Sequence, residues 1–134
     1  MIPRKIRRFF ELQALDVCSQ LGVPVFFENE AIPDVFSPPY VLCIVRSTFY
    51  YAGNVAGTRS MIDGTLHFNI YAPRGDGMGE TSRVYEALSS HFAFGRRFPN
   101  SIRITRAMDT RATYFDESGL AITPTITQFC VEKA

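Results

Sequence analysis

Apolar residues recur at three- and four-residue intervals in two stretches of the chain, which predicts two amphipathic α-helices. The first extends from Pro3 to about Gln20, with a proline suited to the first helical turn and Gly22 just beyond the end. The second extends from about Glu80 to Phe94. The predicted inward faces consist of Ile6, Phe10, Ala14, Val17, Cys18 and Leu21 in the first helix and of Val84, Leu88, His91 and Phe92 in the second.

Six further stretches have the composition or the period-two alternation of β-strands. The clearest is Met61–Pro73, where Leu66, Phe68 and Ile70 alternate with polar side chains, so that one face is predicted to lie on the core. Tyr40–Ser47 is continuously apolar, which is typical of a central strand buried on both faces. The other predicted strands are Val23–Glu28, Ile102–Arg106, Arg111–Phe115 and Leu120–Val131.

Several connecting segments carry turn residues, and Gly95–Asn100 is predicted to be a basic turn that precedes the strand at Ile102. Thr48–Arg59 combines glycines with Tyr50 and Tyr51, and we expect it to be the tip of a long hairpin or an exposed flap. Asp116–Gly119 is predicted to be the turn of a hairpin that joins the last two strands. Because proline has no N–H to donate, Pro124 predicts that the last strand lies at the edge of the sheet or carries a bulge.

The predicted order of elements is α-β-β-β-α-β-β-β. It indicates an α+β fold in which two helices pack on one face of a mainly antiparallel sheet of about five to six strands. A chain of 134 residues has the length of one domain, so we assign residues 1–134 to a single domain.

The charge balance argues against a polyanion as the main partner. The formal net charge is +1, which is too small for the field that drives non-specific binding to nucleic acid or to a membrane surface. All the basic residues except Lys5 and Lys133 are arginines. Arginine is favoured at protein interfaces, although the codon usage of the host explains such a bias equally well.

The three cysteines, Cys18, Cys43 and Cys130, lie far apart and form no C-x-x-C pair, so no structural metal site is predicted. An odd, sparse count favours a reducing compartment and buried, unpaired thiols. The start of the chain lacks the apolar core of a signal peptide, and no apolar run has the length of a membrane span. We therefore expect a protein of the cytoplasm that does not enter a membrane.

Gly75, Gly77 and Gly79 stand between a predicted strand and a predicted helix, where backbone N–H groups can hold a phosphate. Their spacing matches neither the dinucleotide fingerprint nor the P-loop, which ends in Gly-Lys-Ser/Thr. We interpret them as glycines that supply positive φ angles to a tight turn, and a phosphate- or nucleotide-binding domain remains the less favoured alternative.

No catalytic constellation is visible among the titratable residues. Neither His67 nor His91 has a nucleophile or further ligands at a spacing that suggests catalysis or metal binding. His91 is predicted to be a histidine at the edge of the core with one hydrogen-bond partner, and His67 to lie on the outer face of the sheet. Asp109, Asp116 and Glu117 flank predicted turns, where we expect carboxylates to cap backbone amides. The sequence thus favours a binding or assembly protein over an enzyme, with no cofactor.

Arg96 and Arg97, with Arg103 and Arg106 on the following strand, could form a local positive patch. Only Phe98 interleaves with them, so a base-stacking platform for RNA has little support. A protein interface that is rich in arginine fits these residues at least as well.

One run of residues carries a family resemblance over about two thirds of the chain. The matching residues are Gly53, Arg59, Gly64-Thr65-Leu66-His67-Phe68-Asn69-Ile70-Tyr71-Ala72-Pro73, Gly75, Gly77 or Gly79, and the helix to Leu88 and Phe92. Upstream, the N-terminal helix leads into Val23–Asn29, and a proline-rich loop precedes Tyr40. In these features the chain resembles the tail terminators of long-tailed bacteriophages, which are also called tail-completion or neck-type proteins.

The resemblance implies a structural subunit of the virion with no reaction and no cofactor. Six copies would form a ring that caps the tail tube, stops its polymerisation and offers a surface to a head-completion or connector protein, with DNA only as passing cargo. Another neck or tail subunit, such as a head-closure or tube protein, is the alternative. Subunit contacts are placed on the flap with Tyr50, Tyr51 and Arg59 and on the edge near Pro124. Arg74, Arg96 and Arg97 are candidates for contact with a neighbour, the tube or DNA.

Overall fold

Two helices and seven strands form in the part of the chain that the computed structural model describes. This part comprises residues 4–28, 39–52, 60–73, 75, 79–117 and 119–133, and in 48–52, 60 and 133 only the backbone. The elements are α1 (Arg4–Leu21), β1 (Val25–Phe27), β2 (Tyr40–Ala52), β3 (Ser60–Ala72), α2 (Gly79–His91), β4 (Arg97–Phe98), β5 (Ile102–Thr110), β6 (Tyr114–Phe115) and β7 (Ala121–Lys133).

Helix α1 buries the face that its sequence period predicts. Its buried side chains are Ile6, Phe10, Ala14, Val17 and Cys18. Gly22 ends the helix with a φ of +71°, a conformation that costs glycine little. The amide of Val23 donates to the carbonyl of Cys18 and the amide of Gly22 to that of Ser19, which is the pair of bonds of a Schellman cap. This cap turns the chain directly into β1.

Helix α2 follows the prediction in its inward face, where Val84, Leu88 and the following Phe92 are fully buried. It ends at His91, three residues before the predicted end at Phe94. Gly95 donates its amide to the carbonyl of Ile104, so the chain has left the helix to pair with β5. Pairing with a strand distant in sequence therefore sets this boundary.

The strand order is β1-β2-β3-β7-β5-β4, and β6 pairs with β7. All pairs are antiparallel except β1 with β2, which run parallel, so the sheet is mixed although mainly antiparallel. The α+β class is confirmed. The seventh strand, which the sequence did not predict, is β4, and it has only two residues.

One face of the sheet carries the core, and α1 and α2 lie on it. The cross-strand row Cys43, Phe68 and Thr125 illustrates this face, because directly paired residues of antiparallel strands point to the same side. In β2, Val41, Cys43 and Val45 are buried whereas Leu42 and Ile44 are half-buried, so the expectation of burial on both faces was wrong. We call the opposite side the helix-free face.

The placement of Pro124 at a sheet edge was wrong, because β7 lies in the interior between β3 and β5. The carbonyl of Pro124 accepts from the amide of Arg111 at 2.8 Å, and in extended backbone the nitrogen of the same residue points to the same side. On that side β5 ends at Thr110 and β6 begins at Tyr114. The missing N–H of Pro124 therefore falls where the neighbouring strand is interrupted.

The threonines of β7 lie on the core face and are buried, with their hydroxyls satisfied. Thr125 Oγ1 donates to the carbonyl of Phe68 at 2.9 Å and Thr127 Oγ1 to that of Arg106 at 2.6 Å. Thr123 Oγ1 shares a hydrogen bond with Thr113 Oγ1. These bonds remove the cost of burying a hydroxyl.

The hairpin around Asp116 is confirmed, since Tyr114 pairs with Ile122 and Phe115 with Ala121. Asp116 caps it as expected, because its Oδ1 accepts from the amide of Leu120 at 2.8 Å. The strand predicted for Arg111–Phe115 is reduced to β6, and β5 extends to Thr110. Arg97–Phe98, which the sequence placed in a turn, forms β4.

The three cysteines are buried and unpaired in the structure, as predicted. Neither α1 nor α2, the helices of the described ranges, combines the length and the apolar character that crossing a bilayer requires.

Candidate functional site

Tyr50 and Tyr51 lie in β2, not in a loop. The backbone of Tyr50 pairs with Ile62 and that of Tyr51 with Met61, so the β2–β3 hairpin continues regularly to Ala52 and Ser60. The long hairpin is confirmed, but its loop is shorter than predicted. Arg59 and Arg74 lie outside the described residues, so their predicted roles stay predictions.

Arg96 contacts other residues of its own chain. Its Nη1 donates to the carbonyl oxygen of His91 at 2.6 Å, and its guanidinium carbon lies 4.5 Å from the ring centre of Phe98. The partial negative charge at the C-terminal end of α2 also stabilises the cation there, and the face of the Phe98 ring attracts it. Arg96 therefore caps the C-terminal end of α2.

Arg97 lies on a different surface from Arg96, so the predicted basic patch is divided. In the register of β4 and β5, Arg97 is directly opposite Arg103, and Arg103 in turn is opposite Cys130 of β7. Arg103 Nη2 lies 3.4 Å from Cys130 Sγ, which is opposite Asp63 of β3. The row from Arg97 to Asp63 thus crosses four strands on the helix-free face.

Two adjoining cavities follow this row, and we call them together the hairpin trough. The first, of about 470 Å³, lies at the β4–β5 hairpin, and the second, of about 540 Å³, lies over β7 and β3. Arg103 and Cys130 line both of them. Arg97, Ser101 and Glu132 also line the first, and Met61, Asp63, Thr105 and Gln128 the second.

The hairpin beside the trough has an uncommon backbone. Asn100 and Ser101 have φ angles of +67° and +60°, in the left-handed region that serine seldom adopts. The carbonyl of Ser101 accepts from the amide of Glu132 at 3.2 Å, which ties the turn to β7. The sequence predicts a turn that ends at Asn100, but it gives no signal that Ser101 adopts this conformation.

At each of the two edges of the sheet, a stretch of strand has no outer strand partner among the described residues. On one side β1 pairs only with residues 41–43 of β2, so Ile44–Ala52 has no outer partner among the described residues. On the other side β4 pairs only with Ile102 and Arg103, and Thr105–Thr110 has no outer strand partner in the described ranges, although the Met108 carbonyl accepts from the Tyr85 hydroxyl at 2.9 Å. Such edges are templates for pairing with another chain.

His91 is a histidine at the edge of the core, as predicted. Its Nε2 lies 2.7 Å from Gln13 Oε1, which requires a proton on Nε2 and leaves Nδ1 to face Arg96 Nη1 at 3.3 Å. Burial lowers the pKa of His91, the charge of Arg96 lowers it further, and Asp16 opposes both effects. The imidazole is thus held neutral between the two helices and the chain after α2.

His67 lies half-buried on the helix-free face, as predicted, with Nε2 at 3.0 Å from Thr65 Oγ1. Burial lowers its pKa, and the charges of Arg46 and Arg111 lower it further. Among the described residues, the Thr65 hydroxyl is the one potential nucleophile within hydrogen-bond distance of a histidine ring, and it is buried; the ring nitrogens of His91 contact only an amide oxygen and a guanidinium. No three His, Cys, Asp or Glu side chains of those residues group as metal ligands.

The glycine-rich turn lies mostly outside the described residues. Gly75 has a φ of +90°, in keeping with its interpretation as a turn residue, and Gly79 begins α2. Gly77 is among the residues that are not described, so the phosphate-binding alternative is not tested by this geometry.

Comparison with known proteins supports the fold and nothing more specific. No family model matches the sequence, and no curated protein matches it. A solved structure of a protein whose name carries no functional description is similar to this chain with a TM-score of 0.73. The similarity covers 96% of this chain and 94% of the other at 19% sequence identity. The chain therefore shares this α+β fold with a protein of known structure.

Proposed function

We propose that the chain is a ring-forming tail terminator of a long-tailed bacteriophage, a structural subunit that caps the tail tube and stops its polymerisation. It would reside in the virion, at the tail or neck, and in the host cytoplasm during assembly. It would carry out no reaction and bind no cofactor. Its partners would be further copies of itself, the tube protein and a head-completion or connector protein.

The observation that carries the proposal is the pair of unpaired edges on opposite sides of one sheet. A closed ring needs two different surfaces on each subunit that fit each other. Ile44–Ala52 of β2 and Thr105–Thr110 of β5 are such a pair, because β3 and β7 separate their strands. Pairing the β2 edge of one subunit with the β5 side of the next would repeat around a ring.

These edges replace the contact that the sequence had placed near Pro124. The β7 strand lies between β3 on one side and β5 and β6 on the other, so it is not an edge strand that a neighbour could extend. The predicted contact at the flap becomes a contact through β2, because Tyr50 and Tyr51 belong to this strand and its outer edge is open.

The proposal is tested by polymerising the tube protein of the same particle with and without this chain and measuring tube lengths by electron microscopy. We expect a ring on one end of each tube. Tube growth should stop when there is one ring for every tube. Growth to the same lengths with the chain in excess would show that it is not a terminator. Incorporation along the tube would instead indicate a tube subunit.

Two variants distinguish the effect of a charge at the strand edge from the effect of a charge elsewhere on the surface. Ile44→Lys adds a charge to the β2 edge, which discourages strand pairing, and should abolish the arrest. Leu12→Lys adds the same charge at an exposed position of α1, which is not part of either strand edge, and should leave the arrest intact.

A further inference from the structure

The hairpin trough contains two like charges that face each other across adjacent strands. Arg97 is exposed and Arg103 half-buried, and both line the cavity at the hairpin. Like charges directly opposite each other destabilise a sheet. A compensating negative charge is therefore expected near them.

Two carboxylates lie nearby, but in the described part of the chain no ion pair joins a carboxylate to Arg97 or Arg103. Arg97 forms no ion pair or hydrogen bond there, and Arg103 donates only to Cys130 Sγ, which is a weak acceptor. Asp63 and Glu132 line the trough but each already has an interaction, and no described ion pair joins either to Arg97 or Arg103. The two guanidinium groups are available to an external anion.

We propose that the hairpin trough binds a peptide segment of a partner protein that carries a single acidic side chain, with its carboxylate between Arg97 and Arg103. A guanidinium presents parallel N–H donors that match the two oxygens of a carboxylate. Because the register fixes the two residues opposite each other, one carboxylate can receive donors from both. The tie between Ser101 and Glu132 holds the hairpin in place beforehand.

The same trough disfavours nucleic acid. Asp63 and Glu132 would lie beside any string of phosphates that followed the trough beyond the arginines. A peptide places one negative charge at the arginines and neutral backbone along the rest. The trough crosses four strands about 4.8 Å apart, so it spans about 14 Å, or roughly four residues of extended peptide.

This inference goes beyond the proposed function and does not depend on it, because a single subunit carries the whole trough. A monomer that never forms a ring can still bind the peptide, and a ring can form without it. The two proposals therefore succeed or fail separately.

The experiment is a titration of isotope-labelled protein, followed by NMR, with a capped peptide that contains one glutamate among threonines. We expect the amide signals of Arg97, Ser101 and Arg103 to shift. The glutamine analogue should leave them unchanged, and Arg97→Gln with Arg103→Gln should weaken binding at least about tenfold. Arg8→Gln, which changes an exposed arginine of α1 on the opposite face of the sheet, is the matched control and should retain affinity.

Three results would overturn the inference. Equal shifts with the glutamine analogue would show that charge does not drive binding, and the absence of any shift would show that the trough does not bind such a peptide. Larger shifts of the same amides with duplex DNA would identify nucleic acid as the ligand. Dispersed spectra of the variants verify that each remains folded.

Discussion

Phe129 of β7 lies directly opposite Gly64 of β3, and its ring fills the space that a side chain at position 64 would need. A Cβ there would also come within 2.6 Å of the carbonyl oxygen of Arg46, which is backbone and cannot rotate away. The ring of Phe129 packs at 4.4 Å from that of Phe10, so this contact connects α1 with the centre of the sheet.

Gly64→Ala is expected to lower the free energy of unfolding by about 1–3 kcal/mol, because the added methyl group overpacks the core. Gly79→Ala is the control, since open space surrounds that position at the start of α2, and it should change stability little. Chemical denaturation of the two variants measures the difference. Equal stability of both would contradict the close packing of Phe129 on Gly64.

Stability should decrease as the pH falls through the range in which the histidines titrate. The folded chain lowers the pKa of His91 and His67, so between those lowered values and about 6.5 the unfolded chain binds more protons. The stabilisation is therefore complete above about pH 6.5 and is lost on acidification.

Denaturation at about pH 7.5 and about pH 5 should show a smaller loss for His91→Gln than for the unchanged chain. An equal loss would mean that His91 does not titrate in this range. His67→Gln tests the other histidine separately. In His91→Gln, the substituted amide should keep the packing between Gln13 and Arg96.

The native thiols should react slowly. Burial raises the pKa of Cys18 to about 11, and it raises the pKa of Cys43, with smaller contributions from Glu11 and Cys18. Cys130 is only 3% exposed. A thiol reagent at mildly alkaline pH should modify all three cysteines within minutes in denaturant and far more slowly in the folded protein. Rapid modification of the folded chain would show that a thiol is accessible.

Ser101→Gly should raise the free energy of unfolding by about 0.5–1 kcal/mol. A left-handed conformation costs a side chain about 1–2 kcal/mol, of which the greater freedom of glycine in the unfolded chain offsets a part. Asn100→Gly is the matched control in the same turn, and it should have less effect because asparagine tolerates this conformation. A loss of stability in Ser101→Gly would contradict the strain at this hairpin.

The sequence predicts those elements in which the burial of one face determines the spacing of the apolar residues. Helix α1 and strand β3 have periods that agree with their buried faces, because each packs against the core along its whole length. The rest depends on contacts between distant residues. The two-residue strand β4 exists because β5 returns beside it, and Pro124 is accepted in an interior strand because the neighbouring strand is interrupted there.

The candidate site was predicted only in part for the same reason. Arg96 and Arg97 are adjacent in sequence, yet one closes α2 and the other faces Arg103. Composition gives the number of arginines, but only the strand register determines which of them share a surface. The unpaired stretch of β2 has no sequence signal, because it results from the shortness of β1.

The measurement that tests the central claim most directly is a cross-linking ladder, with tubes present, of a variant that carries both Arg46→Cys and Ala107→Cys. These exposed positions lie in the open stretches of β2 and β5, and the buried native thiols should stay silent. A head-to-tail ring predicts bands that end at the hexamer, and little cross-linking of either single variant alone. A ladder that stops at the dimer, continues beyond six subunits, or forms equally with a single variant would contradict the ring.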